Sequence, residues 1–148
     1  MCAAANKPRV LFVYYTYTQQ ALKVSEVMAA VFRERGCEVN QAAIEFTDSR
    51  YTGRFSTFPM RHAFLDVARM LIPQLRRKTG EILIPPEATQ GDYDLICIGS
   101  PTWWLTTCMP VRSFLKTDAA RELMLQYLLV EKRALTNRRR KRGIDGSA

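Results

Sequence analysis

RVLFVYYTYTQQA, residues 9–21, has two halves of opposite character. Arg9 to Tyr15 is a continuous apolar run rich in branched and aromatic side chains. Runs of this kind read as strands buried on both faces, as in a parallel sheet. Thr16 to Ala21 is a polar turn. Beyond it Val24, Val27, Met28 and Val31 recur at three- and four-residue spacing, which predicts a helix with one apolar stripe. Thr18 is the expected N-cap and Gly36 the expected stop. Cys37 to Phe46, CEVNQAAIEF, reads as a weaker strand whose mixed polarity suits a sheet edge. Strand, turn, helix and strand make a first βαβ unit, so the fold class is α/β.

Asp48 to Phe58 reads as a long loop. Met60, Phe64, Val67 and Leu71 mark an amphipathic helix that Pro73 should end or kink. RRKTG, residues 76–80, is a basic helix exit, and Glu81 to Asp94 is an irregular connector with adjacent prolines at 85 and 86. DLICIG, residues 94–99, is a third strand, again buried on both sides by its pattern. Pro110 opens another helix with Val111, Phe114 and Leu115 inward. Thr117 to Val130 extends or restarts it, and after Val130 the periodicity is lost.

A chain of 148 residues, 47% of them apolar, carries one domain with a real core. No run approaches the roughly 20 apolar residues of a membrane span, and no signal peptide is visible, so the expected location is the cytoplasm. Cys2, Cys37, Cys97 and Cys108 are scattered, which is neither a zinc pattern nor a disulfide framework. His62 is the single histidine and has no obvious catalytic partner. The formal charge is +8, of which +5 falls in residues 131–148. The expected division is therefore a domain over 9–130 and a basic, disordered tail over 131–148. No aromatic residue is interleaved in that tail and no helix-turn-helix or zinc module accompanies it, so a nucleic-acid role is disfavoured.

Two loops carry the chemistry. In a doubly wound parallel sheet of order 2-1-3-4-5, strands 1 and 3 are neighbours, and the ligand crevice lies beyond their C-terminal ends. Thr16–Ala21 and Ser100–Thr107, SPTWWLTT, leave those two ends. The first opens a helix, whose unpaired N–H groups and positive dipole end suit a phosphate; Thr16 and Thr18 add hydroxyls. The second supplies flat aromatic surface at Trp103 and Trp104, with Thr102, Thr106 and Thr107 as hydrogen-bonding neighbours. Taken singly, each has a plainer reading: Thr18 as a helix cap, one tryptophan as core. Together a phosphate cradle and an aromatic platform describe a mononucleotide with a large flat ring.

GSPTWW and MPVRSFLK, set beside the hydroxyl-rich loop after strand 1, resemble the flavodoxin-like family, including FMN-dependent NAD(P)H:quinone reductases. The similarity covers about residues 9 to 123. It implies that Thr16, Thr18, Gln19, Gln20 and Ala21 hold the FMN phosphate. It implies equally that Pro101, Thr102, Trp103 and Trp104 line the isoalloxazine, with Thr106 and Thr107 nearby. Gln19-Gln20-Ala21 stand where many relatives have Gly-Asn or Gly-Ser and a closing hydroxyl, and Leu105 stands where Gly is common. The pattern is left near Met124, so the fold is expected to be incomplete after strand 3, from a truncated or frame-shifted reading, with strand 3 an exposed edge and a homodimer one outcome. The function the resemblance implies is an FMN-binding redox protein. It would take electrons from NAD(P)H and pass them to a small quinone-like acceptor or a redox partner protein. A flavodoxin-type electron carrier, or a non-catalytic remnant whose basic tail binds acidic partners, are the alternatives.

Overall fold

The computed structural model describes residues 7–55, 63–103 and 106–125. Strand β1, Arg9–Tyr14, is the middle of a three-stranded parallel sheet between β2, Glu38–Ala43, and the strand Leu95–Gly99. Helix α1, Gln20–Glu34, makes the crossover from β1 to β2. Then come the two-residue strand β3, Glu45–Phe46, helix α2, Ser49–Phe55, helix α3, Ala63–Leu75, and the two-residue strand β4, Ile82–Leu83. A single 3-10 turn, Pro86–Ala88, leads into β5, Leu95–Gly99. A tight hairpin, β6, Thr102–Trp103, and β7, Thr106–Thr107, precedes helix α4, Met109–Leu115. The order β2-β1-β5 reproduces the first three places of the order expected from the sequence. Among the described residues no fourth or fifth strand joins this sheet; the tail over 131–148, His62 and Met60 lie outside them.

Residues 10–15 are all buried because β1 has a neighbour on each edge and a packed layer on each face. On one face Val10, Phe12 and Tyr14 meet Ala29 of α1. On the other Leu11, Val13 and Tyr15 meet Val111 and Phe114 of α4, with Ala120 and Leu123 of the helical segment 118–125. Arg9 closes the opposite end. Its backbone N–H donates to Asp94 Oδ2 at 2.7 Å, its Nη1 donates to the Asp92 carbonyl at 3.0 Å, and its guanidinium lies 5.2 Å over the Tyr93 ring.

Several sequence expectations change here. The residues that α1 buries are Ser25 and Ala29, while Val24, Val27, Met28 and Val31 are 59%, 66%, 41% and 43% exposed. The face turned to the sheet runs through Leu22, Ser25, Ala29 and Phe32 instead, with the Phe32 ring 6.0 Å from Phe12. Val27 and Val31 look outward, and Val24 and Met28 border the cavity described below. Gln19, not Thr18, occupies the N-cap position, in the left-handed region at φ 63° with no side-chain cap bond. DLICIG is half-buried, with Ile98 39% exposed, because β5 pairs only with β1 among the described residues. Pro73 lies inside α3, which continues to Leu75; Met70 and Gln74 are buried there, and tertiary packing outweighs one missing N–H close to the helix end. Pro110 follows Met109, the first residue of α4, and Leu115 faces outward. The chain restarts as helix at 118, where Thr117 Oγ1 accepts from the Ala120 N–H at 3.2 Å.

The stretch expected as a loop from Asp48 holds α2 instead. Asp48 is 1% exposed and caps it: Oδ1 accepts from the Arg50 N–H at 3.1 Å and Nε at 2.9 Å, and Oδ2 accepts from Arg50 Nη2 at 2.6 Å and the Glu81 N–H at 3.1 Å. One carboxylate thus ties α2 to the chain entering β4. Gly80 stands beside it because a Cβ there would lie 2.6 Å from Phe46 Cε2 and 3.0 Å from Asp48 Oδ2.

Two predictions follow from this packing. The Arg50 side chain, with the Glu81 and Arg50 N–H groups adding to it, lowers the Asp48 carboxyl from an ordinary 3.8 to about 2. A native value below the unfolded one stabilises fully above the unfolded value and loses that contribution as pH falls toward 2. Urea unfolding of wild type and Asp48→Asn should therefore differ by a constant amount, about 1–3 kcal/mol, above pH 5. The difference should shrink between pH 4 and pH 2; a gap that widens on acidification contradicts it. Val27→Lys should change stability by less than about 0.5 kcal/mol, whereas Ala29→Leu should cost about 1–3 kcal/mol by overpacking, both read from denaturant midpoints.

Candidate functional site

β1 and β5 run side by side and end together. Val10 to Tyr14 pair with Leu95 to Gly99, and the Tyr15 N–H reaches the Gly99 carbonyl at 3.3 Å beyond the last pair. The chain leaving β1 turns outward and enters α1, with the Lys23 N–H bonded to the Gln19 carbonyl as the first bond of that helix. The chain leaving β5 crosses the same end of the sheet. This is where the strand direction of winding reverses, from β2 on one side of β1 to β5 on the other.

A cavity of about 400 Å3 opens there. Its polar mouth is Thr16, Thr18, Gln20, Ser100 and Pro101, with Tyr17, Ala21 and Gly99 around it. Its floor continues as an apolar trough between α1 and β5, over Phe12, Val24, Met28, Cys97 and Ile98. Among the described residues no Asp, Glu, Lys or Arg lines it, and the first turn of α1 has no acidic residue. The charge in reach is the partial positive end of a 15-residue helix whose leading N–H groups have no partner within the helix. Thr16 Oγ1 is buried without a hydrogen-bond partner among the described residues. A buried hydroxyl in that state costs about 1–3 kcal/mol, which a ligand acceptor would recover.

Of the residues expected at the site, Thr16, Thr18, Gln20, Ala21 and Pro101 share this one cavity. Gln19 caps α1 from the exposed side. Thr102, Trp103, Thr106 and Thr107 form the β6–β7 hairpin and do not line the cavity. Trp103 is half-buried, with its ring edge-on to Tyr15 at 5.8 Å between centroids, and it packs with Tyr17 against Met70 and Met109. Trp104 and Leu105 fall outside the described residues. Burial drives the Tyr15 phenol well above its ordinary value and pushes the Cys108 thiol up as well.

Three positions escaped the sequence reading. Ser100 sits at the mouth; its Oγ accepts from the Cys108 N–H at 3.4 Å, which ties the loop to the start of α4. Gln74 is fully buried on α3 and its Nε2 donates to the Trp103 carbonyl at 3.3 Å, the Thr107 carbonyl at 2.7 Å and Thr106 Oγ1. Arg112 of α4 donates from Nη2 to the Thr107 carbonyl at 2.7 Å and Thr106 Oγ1 at 3.2 Å. Ser100 lay inside the quoted loop and its hydroxyl was a usable signal. Gln74 and Arg112 reach the hairpin from other helices, and no local pattern announces such contacts.

A solved flavoprotein in complex with FMN, from Lactobacillus acidophilus NCFM, superposes on this chain with a TM-score of 0.54 at 19% sequence identity. The match covers 73% of this chain and 64% of that one. The likeness is one of fold. The parallel sheet β2-β1-β5 with helices on both faces is consistent with a flavodoxin-like arrangement. No family model matches the chain, and no curated protein matches its sequence. Among the described residues, no helix is long and apolar enough to cross a membrane.

The unusual backbone at Gln19 generates a direct test. A non-glycine residue in the left-handed region costs about 1–2 kcal/mol, partly offset by the greater unfolded freedom of glycine. Gln19→Gly should stabilise the chain by about 0.5–1 kcal/mol in urea unfolding. A loss of stability would show that the Gln19 side chain contributes something the geometry does not record.

Proposed function

We propose that this chain binds FMN at the ends of β1 and β5 and serves as a redox protein, taking electrons from NAD(P)H and passing them to a quinone-like acceptor. The observation that carries the reading is the cavity at the head of α1, which no charged side chain lines among the described residues and whose wall includes Thr16, with its buried hydroxyl partnerless among those residues. Such a site suits a phosphate monoester: neutral donors and a helix dipole bind the anion, and no carboxylate repels it. The FMN bound to the flavoprotein of like fold supports the choice of ligand.

In this reading Thr16, Thr18, Gln20, Ala21 and the leading N–H groups of α1 hold the phosphate. Ser100 and Pro101 border it from the β5 side. Pro101, Thr102, Trp103 and Trp104 take the ring side, with Thr106 and Thr107 behind them; that half rests on the sequence resemblance. The bound flavin supplies the hydride and electron chemistry, and the chain supplies binding and orientation. Tyr15 and Cys108 are buried in the core beside the site and serve in packing.

FMN fluorescence titration of the full chain tests the proposal. Wild type should quench FMN saturably, and Thr16→Val should weaken binding about tenfold, the equivalent of one lost hydrogen bond to a charged group. NAD(P)H should then bleach the bound flavin. Absence of quenching by protein that circular dichroism shows to be folded would overturn the reading.

A further inference from the structure

We infer that Gln74, assisted by Arg112, is a positioning residue that fixes the paired strands β6 and β7, and with them Trp103, beside the crevice; its effect on a flavin rests on the FMN reading above. The geometry is unusual for a buried amide. Gln74 is fully enclosed, yet its Oε1 has no hydrogen-bond partner among the described residues, while its Nε2 faces three acceptors, all on the hairpin or its exit. A half-satisfied buried amide is costly, and an apolar side chain of the same volume avoids that cost.

The hairpin acceptors do not need Gln74 for their own satisfaction. The Trp103 carbonyl also accepts from Thr106 Oγ1 at 3.0 Å, and Arg112 Nη2 donates to both the Thr107 carbonyl and Thr106 Oγ1. What Gln74 adds is a second anchor from a different helix. Arg112 holds the hairpin from α4 and also donates from Nη1 to the Gln74 carbonyl at 3.4 Å, so the two anchors brace one another. The Trp103 ring meets Tyr15, and Trp103 and Tyr17 pack against the same two side chains, Met70 and Met109; Tyr17 lines the cavity, so a shift of the hairpin is passed through that shared packing toward the mouth of the site.

The role separates from a purely structural one because it predicts opposite effects on stability and on position. Gln74→Met keeps the volume and removes the donors and the orphaned oxygen. Its melting temperature should match or exceed that of wild type. Amide hydrogen exchange at Trp103, Thr106 and Thr107 should rise about tenfold relative to β1, and FMN affinity should fall by a similar factor. Competition of inorganic phosphate for the site should be unchanged, because the Thr16–Ala21 loop is untouched. Arg112→Met, as a second variant, should loosen the same amides, and Gln74→Glu should not rescue, since it faces acceptors with an acceptor. Unchanged hairpin exchange in both Met variants would overturn the inference, as would a matched fall in melting temperature and exchange protection across the whole chain. Where wild type binds no FMN, the functional reading falls and hairpin exchange alone decides this one.

Discussion

Everything in this chain depends on β1 being paired on both edges. A strand in that position has no face and no edge left for water, which is why residues 10–15 are all buried and why both helical layers organise around it. The same pairing fixes where function can be. Because β1 and β5 are parallel and in register from Val10–Leu95 to Tyr14–Gly99, the loops that leave them emerge at one end, a hydrogen bond apart. Residues 85 positions apart in sequence are made neighbours by backbone bonding alone, before any side chain contributes.

The site inherits its electrostatics from that arrangement. Among the described residues its walls carry no formal charge, although the chain as a whole is basic at +8. Anion binding in such a place rests on oriented peptide dipoles and hydroxyls, which stay in position and lose little on binding. The charged residues serve elsewhere as fasteners. Asp48 joins α2 to the chain entering β4, Arg9 closes the far end of the sheet, and Arg112 braces the hairpin.

The sequence made β1, α1, β2, β5 and α4 legible, since a doubly buried strand and a helix opening after a polar turn leave strong local patterns. It also made the pairing of Thr16–Ala21 with the loop after β5 legible, through the topology of parallel sheets. The outward turn of Val24, Val27, Met28 and Val31 was not legible. Periodicity locates an apolar stripe but cannot say that the sheet takes the neighbouring face, Leu22, Ser25, Ala29 and Phe32, against Phe12 and Tyr14. The helix at Ser49–Phe55 was hidden because its cap, Asp48, is stabilised by the distant Glu81 N–H. Trp103 was legible as part of a functional loop, but its edge-on contact with Tyr15 and its anchoring by Gln74 are tertiary facts. Burial of Cys108 and Tyr15 likewise follows from the α4 layer, which no local window contains.

The central claim is that the ends of β1 and β5 form one anion-headed ligand site. It is tested most directly by mapping amide chemical-shift changes on the isotopically labelled full chain as FMN is added. The account predicts saturable shifts concentrated at Thr16 to Ala21, Gly99 and Ser100, with smaller ones at Trp103 and Thr106 to Thr107. Shifts confined to the basic tail over 131–148, or spread evenly over the surface, would contradict it.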